Sequence, residues 1–343
     1  MSIRIGLTYD LRDDYRASGG FSEEALAEFD SPETIAALES ALRAIGLQTD
    51  RIGNLPALVR RLAAGDRWDL VFNIAEGLYG RSREAQVPAL LEAYRIPVVF
   101  SDALTQAVGL DKAIAKRLVR DAGLPTAAFA VLDSDQQARD CELPWPVFVK
   151  PIAEGTGKGC ELSSVVHTAA QLMTAAGALR TRFNQPALAE VYLTGREFTV
   201  GVVGNGDQAQ AIGVMEIQLR QNAEPEIYSL SNKEMCEERV HYLLAGDPVA
   251  TQAGRTALAA YKALGCRDAA RIDLRCNSAG EPCFIEVNTI AGLHPTHSDL
   301  PILAHLAGIN YQQLIARIVH AAMRRYGMDT EVLVHACAET ALT

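Results

Sequence analysis

The chain of 343 residues lacks any stretch of about 18 apolar residues free of charge, so no segment is predicted to span a membrane. Basic charge is in short supply: 32 Lys and Arg stand against 42 Asp and Glu, a formal net charge of −10. No Lys/Arg run goes beyond doublets such as Arg60–Arg61 and Arg324–Arg325, which read as solvated helix faces. A nucleic-acid partner needs a basic patch, and none is offered. The seven cysteines are scattered with no Cys-x-x-Cys, which argues against zinc or a disulfide framework and for reduced thiols. Met1 to Leu7 enters an apolar strand directly, with no charged leader before a long apolar core. The expectation is a cytoplasmic protein without a secretory signal.

What is present is ordinary globular composition, 49% hydrophobic and 22% charged, in a chain long enough for two or three domains. The first hundred residues alternate strand and helix signals: a strand at 3–9, a helix at 32–45, strands at 69–74 and 96–100, and a helix at 84–94 between them. Such alternation predicts a parallel sheet covered by helices. The stretch 10–30, with Gly19–Gly20 and seven acidic residues, reads as a loop or lid. Asp111 is a good N-cap for a helix stopped by Gly123-Leu124-Pro125. Further on, strands are expected at 145–150, 187–193 and 197–203, and helices at 248–264 and 311–326. The units are read as 1–105, 106–188 and 189–330, followed by a tail at 331–343, giving an α/β (α+β) protein whose units share one cleft.

Two stretches carry most of the chemistry. Residues 270–276 and 282–288 alternate in polarity around Asn277-Ser278-Ala279-Gly280, a hairpin signature. Period two sets Arg271, Asp273 and Arg275 on one face, with Phe284, Glu286 and Asn288 together on the partner strand. Asp273, Glu286 and Asn288 then offer three hard oxygen donors, a set suited to magnesium shared with substrate phosphates. A solvent-facing polar hairpin is the plainer alternative. The second stretch is a strand ending at Lys150-Pro151 and opening into Glu154-Gly155-Thr156-Gly157-Lys158-Gly159, a cation beside exposed N–H groups that suits phosphate. It is not a P-loop, and alone it also fits a surface turn. Lys112 and Lys116, four apart on one helix, read alone as a solvated face. Ala189 to Val200 reads as a strand–turn–strand carrying Glu190 and Glu197.

In that order, the Asp-Lys helix, Val-Lys-Pro with its Gly-rich loop, Gly195-Arg196-Glu197, Arg271-x-Asp273 and Glu286-x-Asn288-x-x-x-Gly292 resemble the ATP-grasp superfamily, and within it the D-alanine–D-alanine ligase branch. The resemblance runs from about Phe72 to about Met323. It implies an ATP-grasp fold, with an N-terminal parallel α/β domain followed by two α+β subdomains clasping ATP. It implies Lys112 and Lys150 on the phosphates of ATP, with Gly155, Thr156, Gly157 and Gly159 in the covering loop. Glu190 and Leu193 would lie at the adenine, Glu197 on the ribose, and Lys233 would reach the terminal phosphates. Asp273, Glu286 and Asn288 would hold two Mg2+ ions, with Mn2+ as a substitute. Arg271 and the Gly292 N–H would stabilise a developing oxyanion, and Ser298 would receive a substrate carboxylate.

The implied activity is an ATP-dependent carboxylate–amine ligase, forming an amide from a small carboxylate and an amine of amino-acid type through an acyl phosphate, in a homodimer. D-Alanine–D-alanine ligation itself, or a small-molecule kinase or ATP-binding protein without ligation, are the alternatives. The departures gather around the first amino acid: the Gly-Gly-x-Ser-x-Glu turn of D-alanine ligases is absent after the first strand, and His-Gly is replaced by Glu76-Gly77. Glu76, at the end of a parallel strand, is expected to replace the lost acid; capping the next helix or pairing with Arg81 or Arg83 is its structural alternative.

Overall fold

A computed structural model describes residues 3–223, 231–232 and 235–331. Short apolar strands β1 (Arg4–Tyr9), β2 (Gln48–Gly53), β3 (Leu70–Ile74) and β4 (Val98–Val99) pair in parallel in the order β2-β1-β3-β4. All five residues of β3 are buried, as a parallel strand covered on both faces requires. The helix Pro32–Ala44 starts where Ser31 accepts the Thr34 N–H and Pro32 supplies a preset φ, and it buries Ile35, Leu38 and Leu42. Each such side chain contributes about 1.5–3 kcal/mol of burial. The helix packs on Tyr311–Arg325, so one core joins Ile5, Leu7 and Phe72 to Ile315, Ile318 and Val319. Asp268 ties the same region together, accepting from the Phe100 N–H at 2.9 Å and from Arg325 at 2.6 Å.

A second sheet, antiparallel, takes the order β5-β8-β6-β7 from β5 (Phe129–Leu132), β6 (Val147–Pro151), β7 (Val165–Val166) and β8 (Ala187–Val191). A third, also antiparallel, has the order β11-β10-β9-β12-β13, from β9 (Glu197–Val203), β10 (Gln210–Leu219), β11 (Val240–Leu244), β12 (Ala269–Cys276) and β13 (Pro282–Asn288). No helix of the described residues is long and apolar enough to cross a membrane.

Three sequence expectations need correction. The stretch 10–30 is not a plain loop: Arg12–Ser18 is a helix, and Leu26 and Phe29 are buried. Its apolar residues anchor it, with Tyr15 on the Phe29 ring at 4.5 Å and its hydroxyl donating to Asp10 at 2.5 Å. The helix expected at 84–94 divides into a 3-10 turn, Arg83–Ala85, and a helix, Gln86–Ala93. Phe284 does not share the face of Glu286. Asp273 faces Glu286 but Leu274 faces Phe284, so Ile285 is a bulged residue. The extra residue resets the alternation, sending Phe284 into the core beside Ile272 and Leu274 and leaving Glu286 opposite Asp273.

Candidate active site

Helix Lys112–Asp121 is fixed at its start by Asp111, whose carboxylate accepts from the Ala113 and Ile114 N–H groups at 3.1 and 3.0 Å. From that start Lys112, Ala115, Lys116 and Val119 share the inward stripe, and all four are buried. This overturns the solvated-face expectation for the two lysines. Lys116 reaches Glu190 on β8 at 2.8 Å and donates to the Phe284 carbonyl at 3.1 Å. Lys150 approaches the same carboxylate from β6 at 2.7 Å. Phe148 is the direct partner of Glu190 across the ladder, so Lys150, two residues on, is its diagonal neighbour on one face. Burial alone would raise the pKa of Glu190, but the two ammonium groups hold it down at about 2. Burial lowers Lys116; it acts in the same direction at Lys150, where the charges of Glu190 and Glu286 and the Glu190 hydrogen bond together overcome it and raise the pKa.

Lys150 and Glu190 border a cavity of about 120 Å³ between the second and third sheets, with Lys116 behind them. Its apolar lining includes Phe148, Tyr192, Leu193 and Ile285, with the Phe148 and Tyr192 rings stacked at 6.3 Å. Lys112, Lys150 and Lys158 bring cations to the same space, along with Gly157, Glu190 and Glu197. Flat apolar walls beside a lysine cluster can take a planar base and its phosphates.

Asp273 and Glu286 line this cavity too. Asp273 accepts from Thr199 at 2.8 Å, Arg271 at 3.0 Å and the Asn288 amide at 3.2 Å; Glu286 pairs with Lys112 at 3.2 Å. No three His, Cys, Asp or Glu side chains of the described residues gather as a metal cage. The donors nevertheless fit magnesium, which takes one or two protein carboxylates and completes its shell with water and phosphate oxygens. Cations and an amide N–H now satisfy those same carboxylate oxygens.

A second cavity, of about 710 Å³, shares Lys112, Glu154 and Glu286 with the first. Glu76, Gly155, Thr156, Arg271, Asn288, Gly292 and Ser298 all line it, so the structure brings these sequence-predicted residues together. Arg271 is buried between Asp273 and Asp299, the latter at 3.4 Å. Burial would lower its pKa, but the two carboxylates raise it, so it stays charged. Ser298 accepts the His294 N–H at 3.0 Å, and a Cβ at position 292 would meet its Oγ at 2.8 Å. Only glycine leaves that approach open. His297 contacts Cys236 at 3.7 Å, consistent with a structural histidine. Gly159 lines neither cavity: its φ is +70°, and a Cβ there would meet Pro151 and Phe183 at 2.7 and 2.8 Å, a packing role. Lys233 lies outside the described residues.

Sequence reasoning missed several charged residues. Glu28, from the acidic stretch, is buried against the Gly-rich loop, accepting from the Gly155 N–H and pairing with Lys158 at 2.8 Å and Arg83 at 3.1 Å. Burial raises its pKa, but Arg83 and Lys158 more than offset this and lower it. Lys158 also pairs with Glu154 at 2.5 Å. For Lys116 the signal was available, since it lies on the stripe of Ala115 and Val119. For Glu28 no local pattern existed.

The family described as "D-ala D-ala ligase C-terminus" matches residues 118–320. The chain belongs to this family. It is 35% identical to a D-alanine–D-alanine ligase of Cupriavidus necator over 273 residues, 78% of this chain and 79% of the relative. It is equally identical, over 75% of each chain, to the uncharacterized protein y4sG of Sinorhizobium fredii. Among solved structures, a D-alanine–D-alanine ligase of Bacillus anthracis complexed with ATP shares the fold at a TM-score of 0.71 and 23% identity, covering 95% of this chain and 99% of that one. The D-Ala:D-Ser ligase VanG of Enterococcus faecalis does so at 0.71 and 20%, covering 94% and 100%. The ATP-grasp expectation is borne out, and the protein is an ATP-dependent ligase.

Proposed function

We propose that this ligase joins the carboxylate of an amino-acid-like substrate to an amine, with the 120 Å³ cavity taking the base of ATP, the phosphates running from it along the lysines, and the 710 Å³ cavity taking the two substrates. The observation that carries this reading is the seam between the cavities, where Lys112, Glu154 and Glu286 belong to both. A phosphate chain lying along Lys150, Lys158 and Lys112 would end facing a carboxylate in the larger space. A carboxylate oxygen attacks the terminal phosphorus, the bond to ADP breaks, and an acyl phosphate forms. The amine then attacks the acyl carbon, phosphate leaves with its oxygen, and the amine gives up a proton. Arg271 and the Gly292 N–H would offset the charge that grows on the acyl oxygen. Magnesium, held by Asp273, Glu286 and Asn288 with the nucleotide, would supply charge neutralisation. The Ser298 hydroxyl would orient the carboxylate of the second substrate.

Phosphate release followed together with product mass, on pooled amino acids with ATP and magnesium, tests the proposal. A condensation mass matching loss of one water supports it. A stable phosphorylated acid, or ATP binding without turnover, refutes it. D-Alanine–D-alanine ligation is the narrower reading, favoured by the activity named for the curated relatives; D-alanine alone giving the fastest release would select it. A homodimer belongs to the same proposal, and light scattering that reports a monomer at every concentration would remove it.

A further inference from the structure

The larger cavity holds more negative charge than its own cations neutralise. Arg83 and Lys158 account for Glu28 and Glu154, Lys112 pairs with Glu286, and Arg271 with Asp273 and Asp299. Among the cavity's other acids, Glu33 and Glu237 are exposed and Asp30 has the charge of Arg12 acting on it, so Glu76 and Glu84 are the two that remain. Glu76 follows β3, and Glu84 sits in the 3-10 turn Arg83–Ala85 that runs along the same wall. Glu84 is only 9% exposed and opens onto the cavity, and neither it nor Glu76 has a hydrogen-bond donor or ion pair to its carboxylate among the described residues. Asp30 lines the same wall.

A carboxylate left unpartnered in such a place is costly. Burial raises both carboxyls, Glu84 to about 7 and Glu76 well above the usual range; at Glu76 the charges of Glu84 and then Glu28 add to this and Arg83 opposes it, while at Glu84 Arg83 opposes it and Glu28 adds to it. Lys112 and Lys158 also act on Glu84, and Asp30 on Glu76, without bonding to them. An arrangement of this kind persists where a ligand supplies the missing charge. One α-ammonium offsets one carboxylate, and a second cation is needed for the other.

We propose that Glu76 and Glu84 form a cation subsite, and that the amino acid seated there carries a second positive group, as a diamino or guanidino carboxylic acid does. This rests on the ligase reading for the identity of the cavity and adds the substrate class. The subsite selects by charge at the far end of the side chain. A neutral side chain of the same length would leave one carboxylate buried and unpaired.

The test compares ornithine with norvaline, which has the same carbon chain and one ammonium fewer. Calorimetry on the full chain, with ADP and magnesium present, is run with both enantiomers of each. Ornithine is expected to bind about tenfold or more tighter, the worth of one charge-assisted hydrogen bond. Glu84→Gln should erase that preference while the melting temperature stays near wild type, and Glu76→Gln should weaken it.

Equal binding of ornithine and norvaline by the wild-type protein overturns the proposal whether or not the variants fold. So does a preference that survives both substitutions, or a magnesium-binding heat, without amino acid, that Glu84→Gln abolishes. Parallel phosphate-release assays separate the two readings. Ornithine bound selectively but never condensed defeats the ligase reading and leaves the subsite standing. Condensation of norvaline as readily as ornithine sustains the ligase and removes the subsite.

Discussion

Replacing Glu190 with Gln isolates the ion-pair arrangement behind the smaller cavity. The substitution keeps the shape but leaves Lys116 and Lys150, which approach the carboxylate at 2.8 and 2.7 Å, without their shared counter-charge. Holding Glu190 at about 2 against an ordinary 4.5 corresponds to about 3 kcal/mol of native-state stabilisation. Breaking a buried pair by removing one partner costs about 3–5 kcal/mol, so the two routes agree. At roughly 2–4 °C per kcal/mol, the melting midpoint of Glu190→Gln should fall by on the order of 10 °C at neutral pH. Lys116→Met should cost less, because Glu190 keeps Lys150. The sign with pH is also set: the folded pKa lies below the unfolded one. The wild-type advantage is therefore whole above about 4.5 and fades as pH falls towards about 2. Calorimetric melting of both variants across that range measures it. A Glu190→Gln midpoint within about 2 °C of wild type would refute the electrostatic account.

Glu286→Gln should remove turnover at ordinary magnesium, because the charge of a hard oxygen donor is lost, and should also lower the melting midpoint, because Lys112 loses its carboxylate partner; near-normal phosphate release would discard the metal assignment. Arg271→Ala should lose mainly kcat, by about 10²–10³-fold, as an oxyanion donor does; a rise confined to the KM for ATP would mark it as a ground-state binder. Gly159→Ala should destabilise by about 1–3 kcal/mol, since the added Cβ meets Pro151 and Phe183 at a φ of +70°; chemical denaturation showing no change would contradict the crowding.

Much of the architecture was legible in local patterns. The N-cap at Asp111, the hairpin around Asn277–Gly280 and the lysine closing β6 all lie where periodicity and turn chemistry put them. The failures have physical causes. A bulge leaves no trace in an alternating pattern, so period two alone puts Phe284 on the wrong face; only the ladder shows Ile285 as the extra residue. The acidic stretch 10–30 looks loop-like by charge, yet Leu26 and Phe29 bury themselves and bring Glu28 to a backbone amide 127 positions away. Contacts at that separation depend on how whole units pack. The unpaired state of Glu84 was equally invisible, since it follows from which cations Glu28 and Glu154 engage.

The shared core of helix Tyr311–Arg325 and the parallel sheet bears on how the protein is made. Ile5, Leu7 and Phe72 find part of their apolar cover on Ile315, Ile318 and Val319, and Arg325 closes on Asp268 beneath Phe100. Synthesis at about 5–20 residues per second takes on the order of 10–50 s to pass from the end of β3 to the end of that helix. For that interval the apolar face of the sheet has the helix Pro32–Ala44 but not the last part of its cover. A ribosome halted before Tyr311 would release a chain whose opening sheet still lacks its last covering helix.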